Sequence, residues 1–312
     1  MCGLFGFTTY RQEAIKDLQS LTKALAQQSA ARGVDATGIA YAKGGNVCIC
    51  KEAKSARVME FKHPNDIGAL IGHTRHSTQG DERKNYNNHP FHGKTKNARF
   101  ALAHNGVLWN DDTLRRDLGL PKTKIVTDSF IAVQLIESRK TLNMESLRYM
   151  AEQVNGSFSF ALLDDRRNIW LVKGDSPLHI LHFPKEKIYV YASTEEILYK
   201  ALVDTPLFDS LKKREYTEVP IEEGEILKIS PDGKTERSVF AYSYYNGKSW
   251  WQYGSYSYGG TLYSNEREDY LSSLRTVVAM QGLQPSAVDE LLREGFTVED
   301  VEDYLYECQC YG

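Results

Sequence analysis

This 312-residue sequence has few cysteines, no excess of basic charge and no long apolar run. No stretch of about 18 consecutive apolar residues occurs, which excludes a transmembrane helix of the usual length. With 38 basic and 41 acidic side chains the net charge is −3, so there is no basic footprint for nucleic acid. The 5 cysteines are odd in number and sparse. That argues against a disulfide scaffold and for a reducing, cytoplasmic setting. The first residues, Met1-Cys2-Gly3-Leu4-Phe5-Gly6, lack a basic n-region and an apolar h-region, so they do not read as a signal peptide.

What is present is a hydrophobic fraction of 41%, enough for a real core. Leu4 to Tyr10 reads as a strand. Arg11 to Ala31 reads as a helix, with Ile15, Leu18, Leu21 and Leu25 recurring at three and four residues and Gly33 as its cap. Strands follow at 38–42 and 47–51 around Gly44-Gly45. Further apolar strands are expected at 70–73 and 100–104, each running into a polar turn. Helices are predicted over 127–138, 144–155 and 195–202, and strands over 158–164, 169–173, 180–183, 188–193, 225–230 and 235–241. Many strands with few helices make a mixed layered domain rather than a regular βαβ alternation.

Composition shifts after Ala241. Residues 242–264 are rich in Tyr, Gly and Ser and include Trp250-Trp251, which suits an extended aromatic strap better than a flexible linker. Residues 265–312 read as a helical tail, with helices expected over 265–281, 286–294 and 297–306.

Cys2 carries the first chemical signal. Removal of Met1 would free its α-amino group, which titrates at about 7.7–8.0 and can take the thiol proton. The plain alternative is a small buried residue that happens to follow the start. An amide-attacking cysteine also needs a substrate anchor and oxyanion donors. Arg75, in Gly72-His73-Thr74-Arg75-His76-Ser77-Thr78-Gln79-Gly80, is suited to gripping a carboxylate. Asn105-Gly106, expected at a strand end, offers an amide beside a glycine N–H, although an ordinary Asn-Gly turn would look the same. Asp128 can bind an ammonium or simply favour a helix N-terminus.

Taken in order, these segments resemble the class II (N-terminal-nucleophile) glutamine amidotransferases, the glutaminase domains of glucosamine-6-phosphate synthase and amidophosphoribosyltransferase. The series runs Cys2-Gly3-Leu4-Phe5-Gly6, Arg32-Gly33-Val34-Asp35, Gly72-His73-Thr74-Arg75, Asn88-His89-Pro90-Phe91, His104-Asn105-Gly106 and Thr127-Asp128-Ser129, and ends near Gly224-Glu225. It spans residues 2–241. The resemblance implies an α+β fold, a four-layer αββα sandwich of the N-terminal-nucleophile hydrolase type, here with a small C-terminal helical appendage. It implies hydrolysis of the L-glutamine side-chain amide through a γ-glutamyl thioester, with no cofactor and no metal. By motif position Cys2 is nucleophile and amine base, and Asn105 and Gly106 form the oxyanion hole. Arg75 takes the glutamine α-carboxylate, Asp128 takes the α-amino group, and His76, Ser77 and Thr78 line the pocket. His76 departs from the family, which carries Trp or Tyr there, and Gln79 and Phe130 depart as well.

Five of the 8 histidines lie between 73 and 104, and His73-x-x-His76 with His89-x-x-His92 allows a metal reading, but the glutaminase motifs account for His73, His89 and His104. Two other functions fit parts of the pattern. One is an amidohydrolase acting on a γ-glutamyl or other amide. The other is a catalytically idle scaffold that binds partners, which retention of Met1 would favour. About seventy residues follow Ala241, short for a built-in synthase domain, so the expected partner is a separate ammonia-accepting enzyme, with neither nucleic acid nor membrane.

Overall fold

The computed structural model describes residues 2–11, 18–203, 205–242, 275, 278 and 284–293. By its internal contacts the chain divides into two compact units, Met1–Tyr245 and Asn246–Gly312.

In chain order the first unit runs β1 (Gly3–Thr9), α1 (Leu18–Ser29), β2 (Ala36–Lys43), β3 (Asn46–Glu52), β4 (Ala69–Arg75), β5 (Phe91–Lys94), β6 (Arg99–Leu108) and α2 (Asp111–Asp117). It continues through α3 (Phe130–Ser138), α4 (Met144–Gln153), β7 (Gly156–Asp164), β8 (Ile169–Lys173), β9 (His179–Phe183) and β10 (Ile188–Ala192). It closes with α5 (Glu195–Leu202), α6 (Phe208–Lys212), β11 (Thr217–Glu218), β12 (Glu225–Ile229) and β13 (Thr235–Val239). Among the described residues these strands form two sheets, ordered β11-β9-β10-β1-β4-β2-β3 and β13-β12-β8-β7-β6-β5, and every pairing is antiparallel.

Period-two alternation sorts the core into layers. Phe5 and Phe7 of β1 face α1 and α5 across one outer layer, with Leu21, Leu25 and Leu198. Phe158, Phe160 and Leu162 of β7 face α3 and α4 across the other, with Ile131, Leu135 and Leu147. Between the sheets lie Leu4, Ala40, Ala69 and Ile71 of the first sheet against Ala101, Ala103, Ala161 and Leu171 of the second. The alanines let the two sheets approach closely, and strands buried on both faces read as continuous apolar runs. The result is the four-layer αββα arrangement.

Two local expectations are corrected. Gly33 does not cap α1, which ends at Ser29. A Cβ on Gly33 would lie 2.4 Å from the Arg75 carbonyl carbon, so the glycine is there for close backbone approach. Asn105-Gly106 is not a turn at a strand end. β6 runs on to Leu108, with Asn105 opposite Ser159 and Gly106 opposite Phe158. The hairpin at Gly44-Gly45 is as expected, both glycines having positive φ.

In the second unit α7 spans Ser286–Arg293, where the sequence places its middle tail helix. The Arg275 guanidinium pairs with Asp289 at 2.6 Å and 3.1 Å. Of the helix expected over 265–281 only residues 275 and 278 are described, both helical; the helix expected over 297–306 and the strap beyond Tyr242 lie outside the described residues. No helix among the described residues is long and apolar enough to cross a membrane.

Candidate active site

The site residues converge at one end of the space between the sheets. β1 lies beside β4 with Gly3 opposite Thr74, which sets Cys2 alongside Arg75. The Cys2 sulfur senses the charges of Arg75 and Asp128. From the other sheet, His104 is drawn in because its carbonyl accepts a hydrogen bond from His73 Nε2 at 2.8 Å, and Leu4 pairs with His73. Asn105 therefore faces the start of β1 across the inter-sheet space, two residues on from Ala103, just as Cys2 sits two residues before Leu4.

Cys2 is held from both sides. Its carbonyl accepts a 2.7 Å hydrogen bond from Arg32 Nε, and its thiol donates to the His76 carbonyl at 3.5 Å. Burial pushes the thiol above its ordinary value, against the opposing pull of the His76 backbone and the Arg75 guanidinium. The sulfur thus keeps its proton at neutral pH, and attack on an amide requires a base.

Asn105 is 2% exposed, and its side-chain Nδ2 has no hydrogen-bond partner. A buried, unpaired amide donor costs about 1–3 kcal/mol and calls for an explanation. Gly106 beside it has φ +136°, and a Cβ there would lie 1.9 Å from the Ser157 carbonyl oxygen, so only glycine fits. Two donors adjacent in sequence, one of them buried without a partner, could stabilise an oxyanion.

Arg75 is buried at the end of β4. Its guanidinium donates to Asn88 Oδ1 at 2.6 Å, to the Gly80 carbonyl at 2.9 Å and to the Gln79 carbonyl. Asn88 is held in turn, since its carbonyl and that of Pro90 accept from Lys51 Nζ at 2.5 Å and 3.0 Å. Burial, with Arg75 nearby, lowers the Lys51 pKa to about 8. Asp128 is buried just before α3. Its Oδ2 accepts from the Leu108 N–H at 2.7 Å, and Ser129 Oγ sits between its Oδ1 (3.2 Å) and His104 Nδ1 (2.7 Å). Burial raises its pKa, while those hydrogen bonds and Arg75 lower it.

On the loop after β4, the Ser77 N–H donates to Asp35 Oδ2 at 2.7 Å, and His76 Nδ1 lies 3.7 Å from the same oxygen. His76 and Thr78 are exposed; the Ser77 hydroxyl is buried without a partner. His73, His89 and His104 form a buried aromatic row, His73 and His89 being 4.1 Å apart and His89 and His104 6.5 Å. Burial holds His73 near pKa 3 and His104 near 4, so both are neutral. Among the described residues no three His, Cys, Asp or Glu side chains are grouped to hold a metal ion. Arg32, Asp35 and Asn88 stand in the sequence motifs without an assigned role, and Lys51, on the half-exposed edge strand β3, carries no sequence signal of its own.

Residues 73–200 match the family described as the glutamine amidotransferase domain. The chain is 33% identical over 191 residues to the glutamine–fructose-6-phosphate aminotransferase (isomerizing) of Halalkalibacterium halodurans, and 33% identical over 193 residues to that of Staphylococcus aureus strain COL. Each match covers 57% of this chain, and the chain spans 30% of the length of these relatives. Among solved structures, the glutamine phosphoribosylpyrophosphate amidotransferase of B. subtilis superposes with a TM-score of 0.59 at 20% identity, over 77% of this chain and 49% of that one, which shows the shared fold. By these comparisons residues 73–200 are similar to glutamine amidotransferase domains.

Proposed function

We propose that this protein hydrolyses the side-chain amide of L-glutamine through a γ-glutamyl thioester on Cys2. The observation that carries the proposal is the orphaned Asn105 amide, buried across from the nucleophile with Gly106 beside it. With Met1 removed, the α-amino group of Cys2 takes the thiol proton as sulfur attacks the amide carbon. Asn105 Nδ2 and the Gly106 N–H receive the developing oxyanion. Collapse of the tetrahedral species returns the proton to the leaving nitrogen, which departs as ammonia. Water then cleaves the thioester to glutamate and regenerates the thiol.

Arg75 serves the substrate α-carboxylate. Three of its five N–H groups hold Asn88, Gln79 and Gly80, which fixes the guanidinium plane and leaves Nε and one Nη1 hydrogen to donate. Asp128 serves the α-ammonium, a charge that offsets the cost of burying its carboxylate. Retention of both anchors favours an intact amino acid head group over a general amide. The ammonia goes to an acceptor enzyme, in keeping with the names of the relatives, which are amino- and amidotransferases.

The test is glutamate release from L-glutamine by protein whose N-terminal mass shows a free Cys2, compared with Cys2→Ala. Release that is abolished in Cys2→Ala is expected. No release from correctly processed protein would refute the proposal.

A further inference from the structure

The loop that follows β8 has no role in the chemistry above, yet it grips the backbone on which Gly106 rests. The Phe158 N–H donates to Asp175 Oδ1 at 2.9 Å, and the Gly174 N–H donates to the Phe158 carbonyl at 3.0 Å. Ser159 Oγ donates to the Ser176 carbonyl at 2.5 Å, and the Ser157 and Ser176 hydroxyls are 2.9 Å apart. β8 ends its pairing with β7 at Lys173, opposite Ser159. One step further along, the Asp175 carboxylate stands where a ladder carbonyl would otherwise accept the Phe158 N–H.

Phe158 is the register partner of Gly106. The two strands touch closely here: the missing Cβ of Gly106 would meet Ser157 O at 1.9 Å and Phe158 Cα at 2.9 Å. The same Ser157 carbonyl lies 3.3 Å from His104 Nε2. A shift of the backbone at 157–158 is therefore passed to the segment 104–106, with no side chain between to absorb it. Asp175 has a second partner. The Tyr242 hydroxyl hydrogen bonds to it, and the Tyr242 ring meets Phe158 edge-on at 5.3 Å and 87°. Tyr242 is also the first residue of the Tyr/Gly/Ser-rich stretch.

We propose that Asp175 is a positioning residue for the oxyanion hole, fixing the Gly106 N–H through the Phe158 backbone, and that Tyr242 holds Asp175 in place. The proposal rests on the glutaminase reading for its kinetic consequence, while its structural half stands apart from that reading. Asp175 touches neither substrate nor nucleophile. Its loss acts first on the backbone that carries the oxyanion donors, and Arg75 and Asp128 keep their own partners in Asn88, Gln79, Gly80, Leu108 and Ser129.

The experiment measures glutamine hydrolysis and the Gly106 amide resonance in full-length wild type, Asp175→Ala, Asp175→Asn and Tyr242→Phe. Misplacement of a reacting group by a remote change costs up to about 100-fold. Asp175→Ala is expected to lower kcat by about 10- to 100-fold with KM for glutamine within about twofold, and to move the Gly106 amide resonance. Asp175→Asn, which keeps an acceptor oxygen, recovers most of kcat and the resonance; Tyr242→Phe shows the same change in smaller measure. A merely structural role would lower the folded fraction without separating kcat from KM and without rescue by Asn. If Asp175→Ala fails to fold, Tyr242→Phe carries the test. An unmoved Gly106 resonance, or kcat within about twofold of wild type in folded protein, overturns the proposal. If wild type and Cys2→Ala are equally inactive, the glutaminase reading fails, and the Gly106 resonance still decides the role of Asp175.

Discussion

Asn105→Ala separates stability from catalysis more sharply than any other change. Nδ2 of Asn105 is buried and unpaired, so the folded protein already bears the cost of an unsatisfied donor, about 1–3 kcal/mol. Deleting the amide removes that cost and loses some packing of a small side chain, about 1 kcal/mol. The net change in unfolding free energy is expected to lie within about 1 kcal/mol of zero, a shift of only a few degrees in Tm. Catalysis responds oppositely. Loss of one oxyanion donor costs about 100- to 1000-fold in kcat, equivalent to about 2.7–4 kcal/mol of transition-state stabilisation. KM changes little, because the donor meets an oxyanion that exists only after attack. Thermal or denaturant unfolding combined with steady-state glutaminase kinetics reads both. If Asn105→Ala unfolds the protein, or leaves kcat within about tenfold, the amide is a structural group and the oxyanion assignment is wrong.

Other substitutions probe the frame around this centre. Arg75→Lys replaces a planar group that holds Asn88 and two carbonyls by a single ammonium, and KM for glutamine is expected to rise at least about tenfold in steady-state assays; an unchanged KM would remove Arg75 from substrate binding. Gly33→Ala drives a Cβ to 2.4 Å from the Arg75 carbonyl carbon and is expected to destabilise by about 1–3 kcal/mol in denaturant titrations, with a raised KM; wild-type stability would contradict the close-approach account. The buried histidines predict acid sensitivity. His73 and His104 have folded pKa values near 3 and 4 against an ordinary 6.5, so as pH falls below 6.5 the unfolded chain binds protons that the folded chain does not. Stability is full above pH 6.5 and declines toward pH 4, by about 1.4 kcal/mol per pH unit per histidine and about 4 kcal/mol by pH 5 from His73 and His104 alone, with buried His89 acting in the same direction. Denaturant unfolding at pH 7, 6 and 5 measures this, and a flat profile would mean the rings are charged or exposed.

The layered fold is largely legible in the sequence because its strands are buried on both faces and read as apolar runs between turn residues, as at 158–164 and 169–173. β5 escapes notice because Phe91–Lys94 has four residues, follows Pro90 and alternates with Gly93 and Lys94. α2 escapes because Asp111–Asp117 buries little beyond Leu114 and shows no apolar period. The candidate site is legible as ordered motifs, and Cys2, Arg75 and Asp128 are noticed for their own chemistry. The local reading fails at Asn105-Gly106, where the dipeptide signals a turn. Only the long-range pairing with Ser159 and Phe158 shows that it is strand. Gly33 fails in the same way, its constraint coming from Arg75, forty-two positions along the chain. The support given by Asn88, Lys51 and Asp175 depends on contacts between separate segments of chain, which no local pattern encodes.

The central claim is that Cys2 attacks the glutamine amide carbon. The most direct test is to quench processed protein in acid during turnover with L-glutamine and measure the mass of its N-terminal peptide. The mechanism predicts a Cys2 peptide carrying one γ-glutamyl acyl group, labile to hydroxylamine and absent in Cys2→Ala. An accumulating adduct on another residue, or glutamate release that persists in Cys2→Ala, would contradict it.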